Sequence, residues 1–377
     1  MNFTISKNDF YKSLQKVIGV IPSKTTIPIL ENVLLELKEE KLHLTGTDLE
    51  ICVSTEIKVN GVQTGTCTVP AKALNDILRE LPDVPIEITL DEDNMLHLKT
   101  EKGLYKLVAQ PKDEFPSIVV EESEGKLEME SSSLSRLIDK TIFAVSSDEL
   151  RPTLMGVYFQ LLEDELRCVA TDGHRLVKLA NRNYKSEEFQ KSVIVPTKAL
   201  SLVHKNIDSL PDKDEKTVSF SVGENHVIFR MYDTFIYSKI IEGNYPKYEN
   251  VIPMNNDKKL VVNRDDLAAS VKRVAIFSNL LTHQIKFHIE DNRMVVSSED
   301  VEFGGEGSEE INVKFDHESM EIGYNAMYIL DVLRHLDTDE VHIKLSDAVS
   351  AAIIYPSTQQ ENEDLMMLIM PIRLNEQ

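Results

Sequence analysis

Tryptophan is absent from the 377 residues, and aromatic residues make up only 6% of them. With no aromatic stacking signature, no zinc-finger spacing and no recognition-helix pattern, any contact with nucleic acid is expected to be blind to base sequence. Cysteine is scarce: Cys52, Cys67 and Cys168 are odd in number, widely spaced and form no Cys-x-x-Cys pair. Neither a disulfide framework nor a zinc site is therefore expected, and buried, reduced thiols fit a reducing compartment. No run reaches the ~18 apolar residues that a membrane-spanning helix needs. The opening Met1-Asn-Phe-Thr-Ile-Ser-Lys-Asn-Asp carries no apolar signal core, which leaves the cytoplasm as the expected location. Positive charge is also in deficit, with 41 Lys and Arg against 63 Asp and Glu and a net charge of −22, the opposite of the basic surface usual for a DNA binder.

Enzyme signatures are missing too. There is no Gly-x-x-x-x-Gly-Lys loop, no Gly-x-Ser-x-Gly elbow and no His-Glu-x-x-His helix. His174 near Asp172 suggests a hydrolase, and Asp91-Glu-Asp93 or Asp212-Lys-Asp-Glu215 a metal site, but the acidic clusters fall at turns between strands, where charge is usual. No catalysis, cofactor or metal is expected.

What is present is repetition. Val69-Pro-Ala-Lys-Ala-Leu74 recurs as Val195-Pro-Thr-Lys-Ala-Leu200 and, more loosely, as Ile322-Gly-Tyr-Asn-Ala-Met327. A second marker recurs in the same order: Phe3-Thr-Ile-Ser, Leu127-Glu-Met-Glu and Leu260-Val-Val-Asn, each followed by two apolar residues at helical spacing. A period of roughly 125 residues is the size of a whole domain, so the chain is read as three copies of one α+β domain, over 1–122, 127–250 and 258–377. Each copy has two halves, a short strand running into an amphipathic helix and then about three alternating strands. The helices are expected at Lys7–Val17, Ala71–Arg79, Leu134–Val145, Thr197–Asn206, Arg264–Phe277 and Asn325–Leu336. Strands are expected between them, among them Glu310–Val313, and the acidic segments Pro111–Lys126 and Pro246–Asp257 serve as connectors.

Charge is segregated by element. The helices are net positive or neutral inside a chain of net charge −22. Lys72 and Arg79 stand opposite Leu74 and Leu78, Lys198 and Lys205 opposite Leu200 and Val203, and Lys12 and Lys16 opposite Phe10 and Leu14. The third copy departs, with Asn325 and Val332 at the corresponding places. Cationic helix faces within an acidic shell suit a protein that encloses a polyanion rather than adsorbing onto it. A repeat-built scaffold that never meets DNA is the rival reading.

Together with these repeats, Pro28-Ile-Leu, Thr45-Gly-Thr-Asp-Leu-Glu50, Ala170-Thr-Asp-Gly-His-Arg-Leu176, Met320-Glu-Ile-Gly-Tyr324 and Met370-Pro-Ile-Arg-Leu374 make the chain closely similar to the bacterial sliding clamps, the β subunits of DNA polymerase III. The resemblance covers essentially the whole chain. It implies three tandem copies of a DNA-clamp domain, each with two helices packed on antiparallel sheets, and a head-to-tail homodimer ring without enzymatic activity. The implied partners are double-stranded DNA, the polymerase catalytic subunit, the clamp loader and other clamp-binding proteins such as repair polymerases, ligase and mismatch-repair factors.

By the same resemblance Lys24, Lys72, Arg151 and Lys198 match DNA-contacting positions, and the helix faces add Arg79 and Lys205. A partner-peptide pocket would use Leu154, Thr171, Gly173, His174, Arg175, Leu176, Pro246, Asn250, Val251, Leu368, Met370, Pro371, Ile372 and Arg373. Leu, Val and Met would give it adaptable apolar walls. Pro152-Thr153 replace a tyrosine pair, Ser147-Asp148 replace a more DNA-friendly pair, Asn250 stands where relatives carry arginine, and Asn375-Glu-Gln377 extend beyond the usual end towards the pocket's rim. The ring seam would bring Lys102, Tyr105 and Leu107 against Ile276 and Phe277, with Glu302, Glu306, Glu309 and Glu310 available to Lys102 or Lys106.

Overall fold

The computed structural model describes residues 1–116, 125–186, 189–210, 216–300 and 304–374. Part of the Pro111–Lys126 connector, the Asp212–Glu215 cluster, Glu302 and Asn375–Gln377 lie outside the described residues.

Six α-helices occur among the described residues: α1 Lys7–Val17, α2 Ala71–Glu80, α3 Ser131–Ile142, α4 Thr197–Asp208, α5 Arg264–Val274 and α6 Ala326–Arg334. Each begins at the residue after a strand ends, at Ser6, Pro70, Glu130, Pro196, Asn263 and Asn325. The half-repeat read in the sequence is therefore a strand that turns directly into a helix. Its start is fixed locally. Ser6 accepts from the Asp9 amide, Asn263 from Asp265 and Asp266, and Asn325 from Met327 and Tyr328, caps worth about 1 kcal/mol each. Apolar spacing does the rest: Phe10, Leu14 and Val17 of α1, or Leu74 and Leu78 of α2, are buried on one face.

Several boundaries differ from the sequence expectation. The third helix starts at Ser131 rather than Leu134, where the Ser131 hydroxyl and amide hold the Lys216 carbonyl. It ends at Ile142 rather than Val145, and the carbonyl of Phe143 just beyond it is taken by the Arg175 guanidinium. Asn325 caps α6 instead of belonging to it, and α5 stops at Val274 and tightens into a 3₁₀ turn over Ala275–Phe277. α2 and α4 run on to Glu80 and Asp208, and each of these acidic residues lowers the positive charge of its helix by one. The strand expected at Glu310–Val313 spans Gly305–Lys314, and a short strand at Asn60–Gln63 was not anticipated.

The chain forms two compact units, Met1–Arg136 with Lys198–Ile240, and Leu137–Thr197 with Ile241–Gln377. The first holds a five-stranded antiparallel sheet in the order Asn60–Gln63, Asn2–Ser6, Pro85–Leu90, Met95–Lys99, Leu104–Val108. It also holds an eight-stranded sheet in which Thr234–Lys239 pairs with Ile51–Lys58, Thr234 opposite Thr55. The second unit holds a twelve-stranded sheet in which Arg175–Asn181 pairs with Glu363–Ile369, Arg175 opposite Ile369. In both units a strand of the central repeat continues the sheet of another repeat. That pairing is why the compact units divide the chain otherwise than the sequence repeat does.

Candidate functional site

In the second unit, the turn between the strands Leu166–Thr171 and Arg175–Asn181 is built from side-chain chemistry. The Thr171 hydroxyl donates to the Arg175 carbonyl and accepts from the Gly173 amide. Asp172 Oδ1 accepts from the amides of His174 and Arg175, and Gly173 supplies φ +93°, a left-handed conformation costly for other residues. The turn closes a hairpin, with Thr171 opposite Leu176. It leaves no catalytic dyad, because the other Asp172 oxygen takes the Arg175 Nε–H at 3.0 Å and the His174 ring lies against Tyr328.

This turn is one wall of a cavity of about 470 Å³, within the range of small-ligand and peptide side-chain pockets. Of the expected residues, Leu154, Thr171, Gly173, His174, Arg175, Leu176, Pro246, Val251, Leu368 and Met370 line it. Asn250, Pro371, Ile372 and Arg373 do not. Ile372 is turned to another strand, its amide donating to the Gly323 carbonyl, and Asn250 is exposed in the 3₁₀ turn Tyr248–Val251. Sequence reasoning missed Lys247, Tyr248, Pro253 and the loop Val349–Ala351. That loop is fixed by Asp347, whose Oδ1 accepts from the Val349 and Ser350 amides. The Val349 amide first, then Ser350, holds the Asp347 carboxyl below its usual range.

The floor is core: Val169, Leu176, Tyr248, Ala351, Ile353, Met366 and Leu368 pack as one buried cluster. The rim is apolar and exposed at Val251, Val349 and Met370. Tyr248 is anchored by donating to Gln160 and accepting from Arg167, and burial pushes its hydroxyl up to about 12. Arg175 supports the pocket from below. It donates to Asp172, to Asp331 at 2.6 Å and to the Phe143 carbonyl at 2.7 Å, and its guanidinium lies over the Tyr328 ring. Each of its three nitrogens makes one of these bonds, so Arg175 ties the turn to α6 and to the end of α3.

The expected DNA contacts differ in how free they are. Lys24 and Lys72 are exposed. Lys205 reaches the Gln15 carbonyl at 3.4 Å. The others already face carboxylates: Arg79 meets Glu80 and Asp76, Arg151 meets Asp148 at 2.8 Å, and Lys198 meets Asp48 at 2.5 Å. The Asp148 carboxyl is held below its usual range by the Leu150 amide first and by Arg151 second. Arg151 stands beside Gly173, where a Cβ would approach its Nη1 to 3.0 Å, so this cation borders the pocket. Lys16, placed by the sequence on an open cationic face, is instead drawn into an ion pair with Asp233 at 2.6 Å.

Two strand edges complete the picture. Leu104–Val108 is the last strand of its sheet, with Lys102, Leu104, Tyr105 and Val108 exposed and Leu107 half-buried opposite Leu96. In the second unit, Gly305–Asn312 of the strand Gly305–Lys314 pairs with Arg293–Asp300, while among the described residues only Val313 and Lys314 pair on its other side. Ile276 and Phe277 flank that edge, both exposed. Phe277 is seated by absent side chains, since a Cβ on Gly307 would come within 2.4 Å of its ring. Glu309 is held by a two-pronged bond from Arg273 and Glu310 by Arg293. Of the four glutamates available to Lys102 or Lys106, those two already face arginines of their own chain. Asp91 caps its own turn and meets His97, and among the described residues no group of three potential metal ligands stands together.

Comparison with known proteins gives one family throughout. The chain matches the DNA polymerase III beta subunit models for the N-terminal domain at residues 1–119, the central domain at 128–247 and the C-terminal domain at 249–373. It is 35% identical over 378 residues to the beta sliding clamp of Pseudomonas putida, covering 99% of this chain and 100% of that protein. Against the Escherichia coli beta sliding clamp it is 32% identical over 376 residues, with the same coverage. Among solved structures, the DnaN sliding clamps of Pseudomonas aeruginosa and Bartonella birtlesii, each bound to griselimycin, superpose with TM-scores of 0.93 and 0.94 at 33% and 32% identity. Each comparison covers 99% of this chain and 100% of the other.

Proposed function

The chain belongs to the DNA polymerase III beta-subunit family and is a DNA sliding clamp, a non-catalytic accessory subunit in replication, and from that premise we propose that two copies close head to tail around duplex DNA. The observation that carries the ring is the pair of strand edges, Leu104–Val108 in the first repeat and Gly305–Asn312 in the third. Each carries exposed apolar residues at or beside it, a liability that pairing removes. A heterologous contact of this kind closes once the rotation between copies does. Three domains per chain, near 1–122, 127–250 and 258–377, would then surround the duplex.

Lys24, Lys72, Arg79, Lys198 and Lys205, with Arg151 beside the pocket, would meet phosphates without reading bases. The apolar cavity would take the clamp-binding peptides of the polymerase catalytic subunit, the clamp loader and other DNA-processing proteins. Burying one leucine or phenylalanine of such a peptide is worth about 1.5–3 kcal/mol. The site of action is the cytoplasm, where the chromosome is copied.

The test is mass in solution by light scattering, followed by loading onto nicked circular DNA with a matching clamp loader. A dimer that stays on circles and leaves after linearisation is expected. A monomer that binds circular and linear DNA alike would return the chain to the scaffold reading.

A further inference from the structure

The turn at Asp48 and the turn at Asp172 are built alike. Thr47 donates to the Ile51 carbonyl and accepts from Leu49, as Thr171 does with Arg175 and Gly173. Asp48 Oδ1 accepts from the amides of Glu50 and Ile51, as Asp172 Oδ1 does from His174 and Arg175. In both, the backbone φ after the aspartate is left-handed, +79° at Leu49 and +93° at Gly173. Each turn therefore fixes its carboxylate and leaves Oδ2 for a cation. At the second turn that cation is Arg175, from the same hairpin. At the first, the matching position is Ile51, which has no charge to offer. Oδ2 is met instead by Lys198, from the first turn of α4.

We infer that Asp48 is a built-in competitor for the phosphate that Lys198 would meet, keeping this DNA contact weak and readily exchanged. The inference rests on the proposed DNA-contacting role of Lys198. Half of the Lys198 side chain is exposed whereas Asp48 is only 17% exposed, so the carboxylate is fixed and the amine remains within reach of another anion. With the lysine half-exposed to solvent, the pair is open to competition by a phosphate. A ring that must slide benefits from contacts that re-form at every step, and a carboxylate that receives the released amine provides the alternative partner. The first helical turn also concentrates positive potential around Lys198, which makes it a strong phosphate site once Asp48 is neutral.

The test uses the full-length protein and a short linear DNA duplex, with binding measured by fluorescence anisotropy over a series of salt concentrations. Asp48→Asn keeps an oxygen for the two turn amides and removes only the charge. Asp48→Ser, whose hydroxyl can also accept from the turn, is the second variant. Both are expected to tighten binding about two- to fivefold at low salt. The salt slope should steepen by about 0.9 for each phosphate newly engaged. Lys198→Gln should weaken binding, and in that background Asp48→Asn should gain no more than the long-range effect of one lost charge. Glu92→Gln, the same charge change at an exposed turn, sets the size of the long-range contribution. The inference is overturned if Asp48→Asn gains no more than Glu92→Gln, or gains equally with Gln at position 198. If Lys198→Gln alone changes nothing, the DNA-contacting role itself fails, a distinguishable result.

Discussion

At the residue scale, Arg175 shows how a motif can be legible while its role is not. Asp-Gly-His-Arg could be read as a hairpin turn, because the positive φ and the side-chain bonds of the turn are local, whereas its place in a pocket came only from the family resemblance. That Arg175 joins Asp331, the Phe143 carbonyl and the Tyr328 ring could not be read, since those partners come from distant parts of the chain. Its side chain is only 10% exposed, so removing it leaves the Phe143 carbonyl and the second Asp172 oxygen without this donor, and leaves Asp331 with Arg334 as its remaining partner. Arg175→Ala is expected to cost about 1.5–3 kcal/mol and lower the denaturation midpoint. Arg175→Lys should recover little of this, because an ammonium cannot span three acceptors in one plane. A variant that melts like the parent but loses peptide binding would instead make Arg175 a direct peptide contact. Cys52, Cys67 and Cys168 are all buried free thiols, and burial has a chemical consequence. Burial pushes the Cys52 and Cys67 thiols up to about 12, and Cys168 well above its ordinary value. At pH 8 the thiolate fraction of the first two is then roughly one in ten thousand. The native protein should resist a thiol-specific reagent that labels all three cysteines after denaturation; fast labelling of the native chain would mean that these strands open locally.

At the element scale, the strand-into-helix unit was legible because apolar spacing, a capping residue and a period recur together. The pocket's far wall was not. Val349–Ala351 is a turn held by Asp347, and nothing in its local pattern says that it faces Leu176 and Leu368. Gly307 is similar: in sequence it is one glycine among acidic residues, and only the Phe277 ring above it explains the missing side chain. The edge strands carry the sharpest prediction at this scale. Leu104 and Val108 are 56% and 64% exposed on the outermost strand of their sheet, so replacing them costs the folded chain little. Leu104→Lys with Val108→Lys should block edge-to-edge pairing and shift the protein from dimer to monomer, with the melting temperature of the monomer nearly unchanged. Sedimentation at several concentrations distinguishes the outcomes, and a dimer that persists in the double variant would exclude this strand from the seam.

For the whole molecule, the net charge of −22 goes with cations that are themselves partly answered from within, on the helices and beside them. Arg79, Arg151 and Lys198 each face a carboxylate, whereas Lys24 and Lys72 are open to solvent. A protein held on DNA by phosphate contacts alone would lose about 10³–10⁵ in affinity between 50 and 200 mM salt if it made six to ten of them. Retention by a closed ring has no such term, because leaving requires the seam to open or the DNA to end. Once loaded on nicked circles, the clamp should therefore dissociate at a rate that varies only weakly over that salt range. Cutting the circle should release it at every salt concentration tested. Lys24→Gln with Lys72→Gln should reduce the efficiency of loading, which passes through an open ring and direct contact, more than it reduces retention afterwards. If retention on intact circles instead collapsed with salt as steeply as binding to linear duplex, enclosure would not be what holds the protein in place, and the helix cations would have to carry the affinity that their carboxylate partners withhold.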